Sequence, residues 1–373
     1  MAGGAAPPLV LLAAGGTGGH LFPAEALAEA LARHGAVVDL ATDERATRYG
    51  TRFPARAVHI IPSETLRGRD PISVARTAWR LGSGLWQAYR LLGVLRPAAV
   101  VGFGGYPSIP PVLAASLRGI PTVIHDSNAV FGRANRLLAA RVTAIATTFP
   151  GVLEGQPRLA AKATHTGNPL REAVLAAALT PYEAPAHGGP LKLLVFGGSQ
   201  GARVMADVVP EAIARLDLAL RARLALTQQA REEDLPRVRA AYERLSVQAE
   251  LAPFFTDLPA RVADAHLVIS RSGAGTVAEL AAIGRPAILV PLPGALDQDQ
   301  FANAGVLANA GGALRLPQDA FTPERLAADL AALAVAPERL AVMAANARAV
   351  GRLDAAERLA QLVLRVARAG SLT

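Results

Sequence analysis

Short apolar runs alternate with longer stretches of helical composition along almost the whole chain. The runs are rich in Val, Ile, Leu and Ala, which is typical of strands buried on both faces of a parallel sheet. The pattern indicates βαβ units, and it starts again after Pro169. We therefore predict an α/β protein with two Rossmann-like halves. The strands are expected at Leu9–Ala13, Val37–Ala41, Val58–Ile61, Ala98–Val101, Thr122–Ile124, Val142–Ala146, Leu191–Phe196, Leu224–Thr227, Leu267–Ser270 and Ala287–Val290.

The segments between these strands carry apolar residues at helical spacing. The predicted helices lie near Ala24–His34, Ser73–Leu92, Ser108–Arg118, Ala129–Ala140, Ala202–Leu216, Arg231–Leu245, Thr276–Ile283 and Gln300–Ala310. Pro181–Pro190 is expected to form a loop, because Pro and Gly are frequent there.

A chain of 373 residues suits two domains, with a cleft between them. The turn-rich stretch Thr166–Pro169 predicts the boundary, so that the first domain covers 1–167 and the second covers 168–347. Residues 348–370 are helical in composition, and we expect this helix to pack back on the first domain.

Composition narrows the class of protein. Apolar residues make up 51% and charged residues 18%, which is the balance of a folded globular chain. The absence of cysteine excludes disulfides, thiolate metal sites and a thiol nucleophile, and it fits a reducing compartment. The net charge is +8, and almost all of the basic residues are arginine. An anionic substrate or membrane surface suits this charge better than nucleic acid, because no compact basic helix or basic and aromatic run occurs.

Two long uncharged stretches do not have the pattern of membrane spans. Residues 1–24 lack a basic start and contain several glycines, so they predict a strand that leads into a loop rather than a signal peptide. Residues 97–117 are interrupted by Pro and Gly, which would break a lipid-exposed helix. Any contact with a membrane is therefore expected at its surface.

Each half opens with a strand, a glycine-rich turn and a helix. GGTGGH occupies Gly15–His20, and GGSQGA occupies Gly197–Ala202. Backbone N–H groups in such a turn, together with the helix dipole, can bind a diphosphate, although the same turn also serves close packing of strand and helix. Neither turn is a P-loop or the dinucleotide fingerprint, which disfavours ATP hydrolysis and NAD chemistry.

Polar residues follow two strands of the first half. His20 is the ionisable side chain of the first turn and suits a general base, with a capping or core histidine as the alternative. His125, Asp126, Ser127 and Asn128 follow another strand, at the edge where open α/β sheets bind ligands. The last three of these residues also suit helix N-caps, which is the structural interpretation.

In the second half, SRSGAGTVAE at Ser270–Glu279 ends a strand in small residues and begins a helix. The Glu279 carboxylate can accept hydrogen bonds from both hydroxyls of a ribose, or it can simply interact with the helix dipole. Asp297-Gln298-Asp299 spells a D-x-D, which can hold a metal ion. We give it little weight, because a lone D-x-D arises often by chance and helix N-termini already suit the phosphates.

Leu66–Arg96 contains both tryptophans, with apolar residues and arginines at helical spacing. Trp79, Leu85 and Trp86 are candidates for a membrane patch on an interfacial helix. An ordinary amphipathic helix that covers the sheet is the alternative.

Taken together, a set of motifs in both halves resembles the MurG family of peptidoglycan glycosyltransferases. They are GGTGGH (Gly15–His20), GFGGYPS (Gly102–Ser108), HDSN (His125–Asn128), GNPLR (Gly167–Arg171), GGSQGA (Gly197–Ala202), PFF (Pro253–Phe255), SRSGAGTVAE (Ser270–Glu279) and DQDQFANA (Asp297–Ala304). Where the family usually has HEQN, this chain has HDSN.

The resemblance implies a GT-B fold, in which two Rossmann-like domains face each other across a cleft. The first domain would hold the acceptor and meet the membrane, and the second would hold the donor UDP-N-acetylglucosamine (UDP-GlcNAc). The implied reaction is an inverting transfer of GlcNAc to the MurNAc hydroxyl of lipid I, which gives lipid II for cell-wall synthesis. We expect this reaction to proceed without a catalytic metal ion.

The resemblance also implies roles for individual residues. His20 would be the base, Ser199 would meet the diphosphate, Glu279 the ribose, and the backbone of Phe255 the uracil. Other positions matched to the UDP-GlcNAc site are Thr17, Gly18, Gly19, Asn128, Arg171, Ala274, Gly275, Thr276 and Gln300. Tyr106, His125 and Asp126 match the acceptor side, and the membrane patch would correspond to Trp79, Leu85 and Trp86.

The implied partners are UDP-GlcNAc, undecaprenyl-linked lipid I and an anionic membrane, with other cell-wall and division proteins as a further expectation. The implied place is the cytoplasmic face of the inner membrane, as a peripheral protein. A UDP-sugar-dependent glycolipid glycosyltransferase of the same fold, a non-hydrolysing UDP-GlcNAc 2-epimerase and a non-enzymatic UDP-GlcNAc-binding scaffold are the alternatives.

Overall fold

A computed structural model of the chain describes residues 7–15, 17–44, 53–63, 71–198, 201–295 and 298–370, with the side chains of 71–78 not described. The chain divides into two compact units. The N-terminal unit comprises Met1–Arg171 and Leu353–Thr373, and the C-terminal unit comprises Glu172–Arg352. Each unit is built around its own parallel sheet, which confirms the predicted α/β class.

The N-terminal unit has a seven-stranded parallel sheet with the order β3-β2-β1-β4-β5-β6-β7. Its strands are β1 (Leu9–Ala13), β2 (Val37–Thr42), β3 (Val58–Ile60), β4 (Ala99–Gly102), β5 (Thr122–Asp126), β6 (Ala144–Thr147) and β7 (Ala163–His165). The chain winds from β1 to one side as far as β3 and then returns to place β4 on the other side of β1. The carboxyl ends of β1 and β4 therefore form the switch point at which open sheets bind ligands.

In the described residues of this unit, six helices and a short 3₁₀ turn at Tyr106–Ser108 accompany the sheet, and most of them connect successive strands. The helices are α1 (Gly18–Arg33), α2 (Pro71–Leu95), α3 (Ile109–Leu117), α4 (Arg133–Leu138), α5 (Pro157–Ala160) and, from the end of the chain, α15 (Ala355–Gly370). Helix α15 packs on α1, β4 and β5, and its apolar face completes a core with Leu27, Leu31 and Val101.

The C-terminal unit repeats the design with a six-stranded parallel sheet, in the order β10-β9-β8-β11-β12-β13. The strands are β8 (Leu191–Phe196), β9 (Leu224–Gln229), β10 (Ala249–Ala252), β11 (Leu267–Ser270), β12 (Ala287–Leu289) and β13 (Ala313–Arg315). The helices are α6 (Glu172–Ala177), α7 (Arg203–Ala214), α8 (Leu218–Ala222), α9 (Leu235–Arg244), α10 (Leu258–Asp264), α11 (Ala274–Ile283), α12 (Asp299–Asn309), α13 (Pro323–Ala334) and α14 (Pro337–Val350). The switch point here lies between β8 and β11.

Three strands were not predicted from the sequence, namely β7, β10 and β13. Each is three or four residues long and lies at the edge of its sheet, where most of its residues are only partly buried. An edge strand needs no continuous apolar run, so the pattern that reveals central strands is absent there.

The predicted starts of three helices were wrong. Helix α9 begins at Leu235 rather than at Arg231. Helix α1 begins at Gly18 rather than at Ala24 and continues through Pro23, so the histidine of the first turn is helical. Helix α4 begins at Arg133 rather than at Ala129, because the preceding loop is held in another conformation by Asp126, as described below. Among the described residues, no helix is both long and apolar enough to cross a bilayer.

Candidate active site

The glycine turn of the N-terminal unit follows β1 at the switch point of the sheet. Thr17 is the extended residue before α1, and its carbonyl accepts from the backbone N–H groups of His20 and Leu21. A side chain at Gly15 would lie about 3 Å from Thr42 and Asp43, so the close approach of this turn to β2 requires glycine. Gly18 and Gly19 are the first residues of α1, and Gly16 lies outside the described residues.

His20 is half-buried in the first turn of α1, where its ring faces the loop after β4. A Cβ atom built on Gly105 would lie 3.4 Å from His20 Nε2, and one on Gly104 would lie 3.9 Å from the same atom. Both glycines have positive φ, +82° and +69°, which lets the loop approach the imidazole closely. Tyr106 follows directly in the 3₁₀ turn and is half-buried against the core.

His125 lies at the carboxyl end of β5, near His20, and is fully buried. Its Nε2 donates to the Gly167 carbonyl at 3.1 Å, while the Nδ1 atom has no hydrogen-bond partner among the described residues. Burial lowers the pKa of His125 to about 4, the nearby charge of His20 also lowers it, and the hydrogen bond to Gly167 partly opposes the shift. His125 is therefore neutral at physiological pH.

Asp126 organises the loop that follows β5. Its Oδ1 accepts from the Asn128 backbone N–H at 3.1 Å, and its Oδ2 accepts from the Gly132 N–H at 2.8 Å and from Asn135 Nδ2 at 3.0 Å. Burial raises the pKa of this carboxyl, and these hydrogen bonds lower it. The N-cap interpretation from sequence was wrong, because the residue before α4 is Gly132 and Asp126 closes a longer loop.

Asn135 is a site residue that the sequence motifs did not reveal. It lies in α4 and donates to the His125 carbonyl and to the Asp126 carboxylate, both at 3.0 Å, so it joins the helix to the end of β5. Arg171, at the end of the unit, is stacked over the Phe22 ring of α1 with its guanidinium carbon 3.8 Å from the ring centre. Phe22, also absent from the predicted set, thereby brings Arg171 to the helix that carries His20.

The glycine turn of the C-terminal unit follows β8 at the second switch point. Gly198 and Gly201 have φ of +87° and +67°, and a side chain at Gly197 would collide with the backbone of Ala202. These three positions therefore require glycine, and the turn leads into α7 at Arg203. Ser199 and Gln200, the predicted side-chain donors of this turn, lie outside the described residues.

Other predicted donor residues surround the carboxyl edge of the same sheet. Phe255 is 7% exposed, and the Arg261 guanidinium lies over its ring at 4.3 Å. Arg261 is itself paired with Asp257 and Glu250, which raises its pKa. Ala274, Gly275 and Thr276 are the first three residues of α11, and Glu279 is in its second turn.

Gln300 is in the first turn of α12, and its side chain is already engaged. Its Oε1 accepts from the Leu292 backbone N–H at 3.1 Å, and its carbonyl accepts from the Ser272 hydroxyl at 2.8 Å. Ser272 belongs to the segment between β11 and α11, so this bond brings the starts of α11 and α12 together. Asp297 of the D-x-D lies outside the described residues.

The predicted membrane patch lies on α2. Trp79 is 77% exposed and Trp86 is 60% exposed, and the Arg90 guanidinium lies 4.8 Å from the Trp86 ring centre. Leu85 differs from the expectation, because it is half-buried and packs on the core of the unit. Among the described side chains of this helix, the exposed apolar surface comes from the two tryptophans, with Tyr89 and Val94 further along.

No group of three or more His, Asp or Glu side chains in the described parts of the chain is arranged to hold a metal ion. The N-terminal unit brings together His20, His125 and the loops at 104–106 and 126–132. The C-terminal unit places a glycine turn, the loop with the buried Phe255 and two helix N-termini at the carboxyl edge of its sheet. The first arrangement can accept a proton, and the second can bind an anion.

Comparison with known proteins covers both units. Residues 10–147 match the glycosyltransferase family 28 N-terminal domain, and residues 192–359 match the glycosyltransferase family 28 C-terminal domain. The chain is 65% identical over 364 residues to the UDP-N-acetylglucosamine--N-acetylmuramyl-(pentapeptide) pyrophosphoryl-undecaprenol N-acetylglucosamine transferase of Nitrobacter winogradskyi, which covers 98% of this chain and 99% of that protein.

A protein of the same name from Rhodopseudomonas palustris is 66% identical over 361 residues, covering 97% of this chain and 99% of that protein. Among solved structures, the crystal structure of MurG from Acinetobacter baumannii superposes with a TM-score of 0.78 at 30% identity. It covers 96% of this chain and 100% of that one.

Proposed function

The chain belongs to glycosyltransferase family 28, and from this premise we propose that it transfers GlcNAc from UDP-GlcNAc to the MurNAc of undecaprenyl-pyrophosphoryl-MurNAc-pentapeptide. The product is lipid II, the lipid-linked disaccharide of peptidoglycan synthesis. The observation that carries this function is the 65% identity to a transferase of that name, spread over 98% of this chain. A match of this extent disfavours the epimerase, the glycolipid transferase and the scaffold.

His20 is the proposed general base. Its place in the first turn of α1, facing the Gly104–Gly105 loop, suits a group that meets the acceptor sugar. The imidazole takes the proton of the MurNAc hydroxyl as that oxygen attacks the anomeric carbon of GlcNAc. The bond from this carbon to the UDP oxygen breaks on the opposite face, so the configuration inverts and UDP leaves with the bonding electrons.

His125 and Asp126 are proposed to act on the acceptor side through position. The neutral ring of His125 lies near His20 without adding a second positive charge at physiological pH. The carboxylate of Asp126 holds the 127–132 loop, and with it Asn128, through its hydrogen bonds. Tyr106 is proposed to line the same acceptor region, and Thr17, Gly18, Gly19 and Arg171 to meet the donor from this unit.

The C-terminal unit is the proposed donor domain. The turn at Gly197–Ala202, with Ser199, would bind the diphosphate and stabilise the charge that develops as UDP leaves. Glu279 would accept hydrogen bonds from the ribose, the backbone near Phe255 would meet the uracil, and Ala274, Gly275 and Thr276 would offer the α11 N-terminus. The Gln300 Oε1 already accepts from the Leu292 N–H, so Gln300 would meet the sugar through its Nε2 group.

UDP-GlcNAc is the co-substrate in this proposal, and the helix N-termini are proposed to stabilise the leaving group without a catalytic metal. Metal dependence is tested directly by measuring transfer in EDTA. Less than a twofold change would agree with helix-dipole stabilisation, and abolition with rescue by Mg²⁺ would contradict it.

We propose that the protein works as a peripheral protein on the cytoplasmic face of the inner membrane. The exposed Trp79 and Trp86 rings, with Arg80 and Arg90 on the same helix, suit the headgroup region of an anionic bilayer. Contacts with other cell-wall and division proteins are a further proposal.

The test of the function follows radiolabel from UDP-GlcNAc into undecaprenyl-diphosphate-MurNAc-pentapeptide. Wild-type protein should move label into the lipid fraction and release UDP in equal amounts, whereas undecaprenyl diphosphate without the sugar should take up none. Protein that binds UDP-GlcNAc but moves no label into lipid would contradict the proposal. Formation of the 2-epimer of the donor would then identify the rival reaction.

A further inference from the structure

Gln229 is the last residue of β9, the strand that lies beside β8, and it is 6% exposed. Strand β8 leads directly into the glycine turn of the C-terminal unit. The sequence patterns did not single out Gln229, because the predicted strand ended at Thr227. It nevertheless lies at the carboxyl edge of the sheet, where ligands of such folds bind.

The Gln229 amide makes three hydrogen bonds, all of them to backbone groups. Its Oε1 accepts from the Gly197 N–H at 2.9 Å, and its Nε2 donates to the Gly198 carbonyl at 3.1 Å and to the Pro253 carbonyl at 3.0 Å. An amide offers one acceptor oxygen and two N–H donors on the nitrogen. The partners therefore fix which way the amide faces, because the reversed orientation would oppose donor to donor and acceptor to acceptor.

The bond to Gly198 restrains a residue with unusual conformational freedom. Gly198 has φ of +87°, and a Cβ atom built on it would meet nothing within 4 Å, so no side-chain packing restrains this residue. Its carbonyl accepts from Gln229 and from the Gly201 N–H at 3.0 Å, which keeps the oxygen inside the turn. A carbonyl that rotated outward would repel an anion, so this restraint favours anion binding.

The bond to Pro253 extends the restraint to a second loop. Pro253 follows β10 and begins the PFF segment, whose Phe255 ring is buried under Arg261. The Gln229 side chain thus joins the glycine turn to the loop that contains Phe255. In a nucleoside diphosphate, the phosphates and the base would meet these two segments.

We propose that Gln229 is a positioning residue that holds the diphosphate turn and the nucleobase loop in the geometry that binds a uridine diphosphate. This inference rests on the proposed function, since it takes the glycine turn as the diphosphate site. Gln229 does not touch the donor in this account and acts through the backbone of Gly197, Gly198 and Pro253.

Gln228 provides a matched control one residue earlier in the strand. It is fully buried, and its amide donates to the Met205 carbonyl at 3.3 Å and accepts from the Tyr242 hydroxyl. Those partners lie on α7 and α9, within the core on one face of the sheet. Replacing either glutamine with methionine removes a buried amide of the same size, so both variants lose stability while only one loses the restraint on the turn.

The experiment measures UDP binding by calorimetry for the wild type, Gln229→Met and Gln228→Met, with the melting temperature of each. We expect Gln229→Met to raise the Kd for UDP about tenfold, which corresponds to one well-oriented interaction lost. Gln228→Met should leave the Kd for UDP within about twofold of wild type. It should lower the melting temperature about as much as Gln229→Met does. In transfer assays, Gln229→Met should raise the KM for UDP-GlcNAc and leave the KM for the lipid acceptor unchanged.

Gln229→Glu provides a second readout. A protonated carboxyl restores the acceptor for Gly197 and one O–H donor, whereas a carboxylate faces two carbonyl oxygens and repels both. The UDP affinity of Gln229→Glu, relative to wild type at the same pH, should therefore recover several-fold between pH 8 and pH 5.5. The affinity of Gln229→Met relative to wild type should stay constant.

A Kd for Gln229→Met within twofold of wild type, or an equal loss in Gln228→Met, would overturn the positioning role and leave the proposed function intact. Wild-type protein that binds neither UDP nor UDP-GlcNAc would instead overturn the proposed function, and the inference with it.

Discussion

The two units place a strand, a glycine turn and a helix at the switch point of a parallel sheet, but the groups that support the two turns differ. In the N-terminal unit the helix carries His20, and the fully buried His125 lies nearby at the end of β5. In the C-terminal unit the described part of the turn carries no ionisable side chain and is held by the uncharged amide of Gln229. We therefore propose that the same backbone motif serves proton transfer in one unit and anion binding in the other.

The comparison predicts that the largest catalytic loss follows from His20→Ala. Removal of a general base should lower kcat by about 10²–10⁴-fold while UDP-GlcNAc binding is kept. His34→Ala is the matched control, since His34 caps the other end of the same helix and pairs with Glu357. Steady-state transfer and calorimetry measure the two quantities. A kcat within tenfold of wild type would assign proton transfer to another group.

The second prediction concerns the proposed contact with lipid, which we place on helix α2 of the N-terminal unit because Trp79 and Trp86 are exposed there. Replacing Trp79 and Trp86 with serine should weaken binding to anionic phospholipid vesicles by about 10- to 100-fold, because exposed indole rings lose their burial in the headgroup region. Leu179→Ser with Val335→Ser is the control, because those residues are equally exposed on the C-terminal unit. Flotation with vesicles measures binding. Equal losses in both double variants would remove the distinction between the units.

The third prediction tests whether the C-terminal unit holds the ribose. Glu279→Gln should raise the KM for UDP-GlcNAc about tenfold or more, since a hydrogen bond to a charged acceptor contributes about 1.5–3 kcal/mol. The KM for the acceptor should not change. Glu243→Gln, an exposed residue of α9, serves as the control. A Glu279→Gln effect confined to the acceptor KM would reverse the assignment of substrates to units.

The smallest effect is expected in the pH dependence of stability. It should differ between variants of His125, which can titrate, and variants of Gln229, whose amide cannot. The pKa of His125 is about 4 in the folded protein, below its ordinary value of 6.5. The unfolded chain therefore binds more protons between these values, and the contribution of neutral His125 is present above pH 6.5 and is lost as pH falls toward 4.

His125→Gln keeps an N–H donor near Gly167 and should flatten the fall in melting temperature between pH 6.5 and 4. Gln229→Met should lower the melting temperature equally at every pH in this range. Parallel curves for wild type and His125→Gln would show that the buried histidine does not contribute to acid unfolding.

Much of the fold followed from local pattern. The strands β1, β8 and β11 have the predicted bounds, because central strands of a parallel sheet are continuous apolar runs. The glycine turns were also evident, and two of their described positions, Gly198 and Gly201, have the positive φ that favours glycine. Edge strands β7, β10 and β13 were missed because half-exposed strands have no comparable pattern.

The sequence by itself therefore determined two Rossmann-like halves, the turn at the switch point of each, and the motifs that identify the family. Only the tertiary structure decided what supports those turns. Gln229 and Gly197 are separated by 32 residues, and His125 and Gly167 by 42, so no local pattern links them. Hydrogen bonds of buried groups depend on which strands become neighbours, and packing of the whole sheet sets that order.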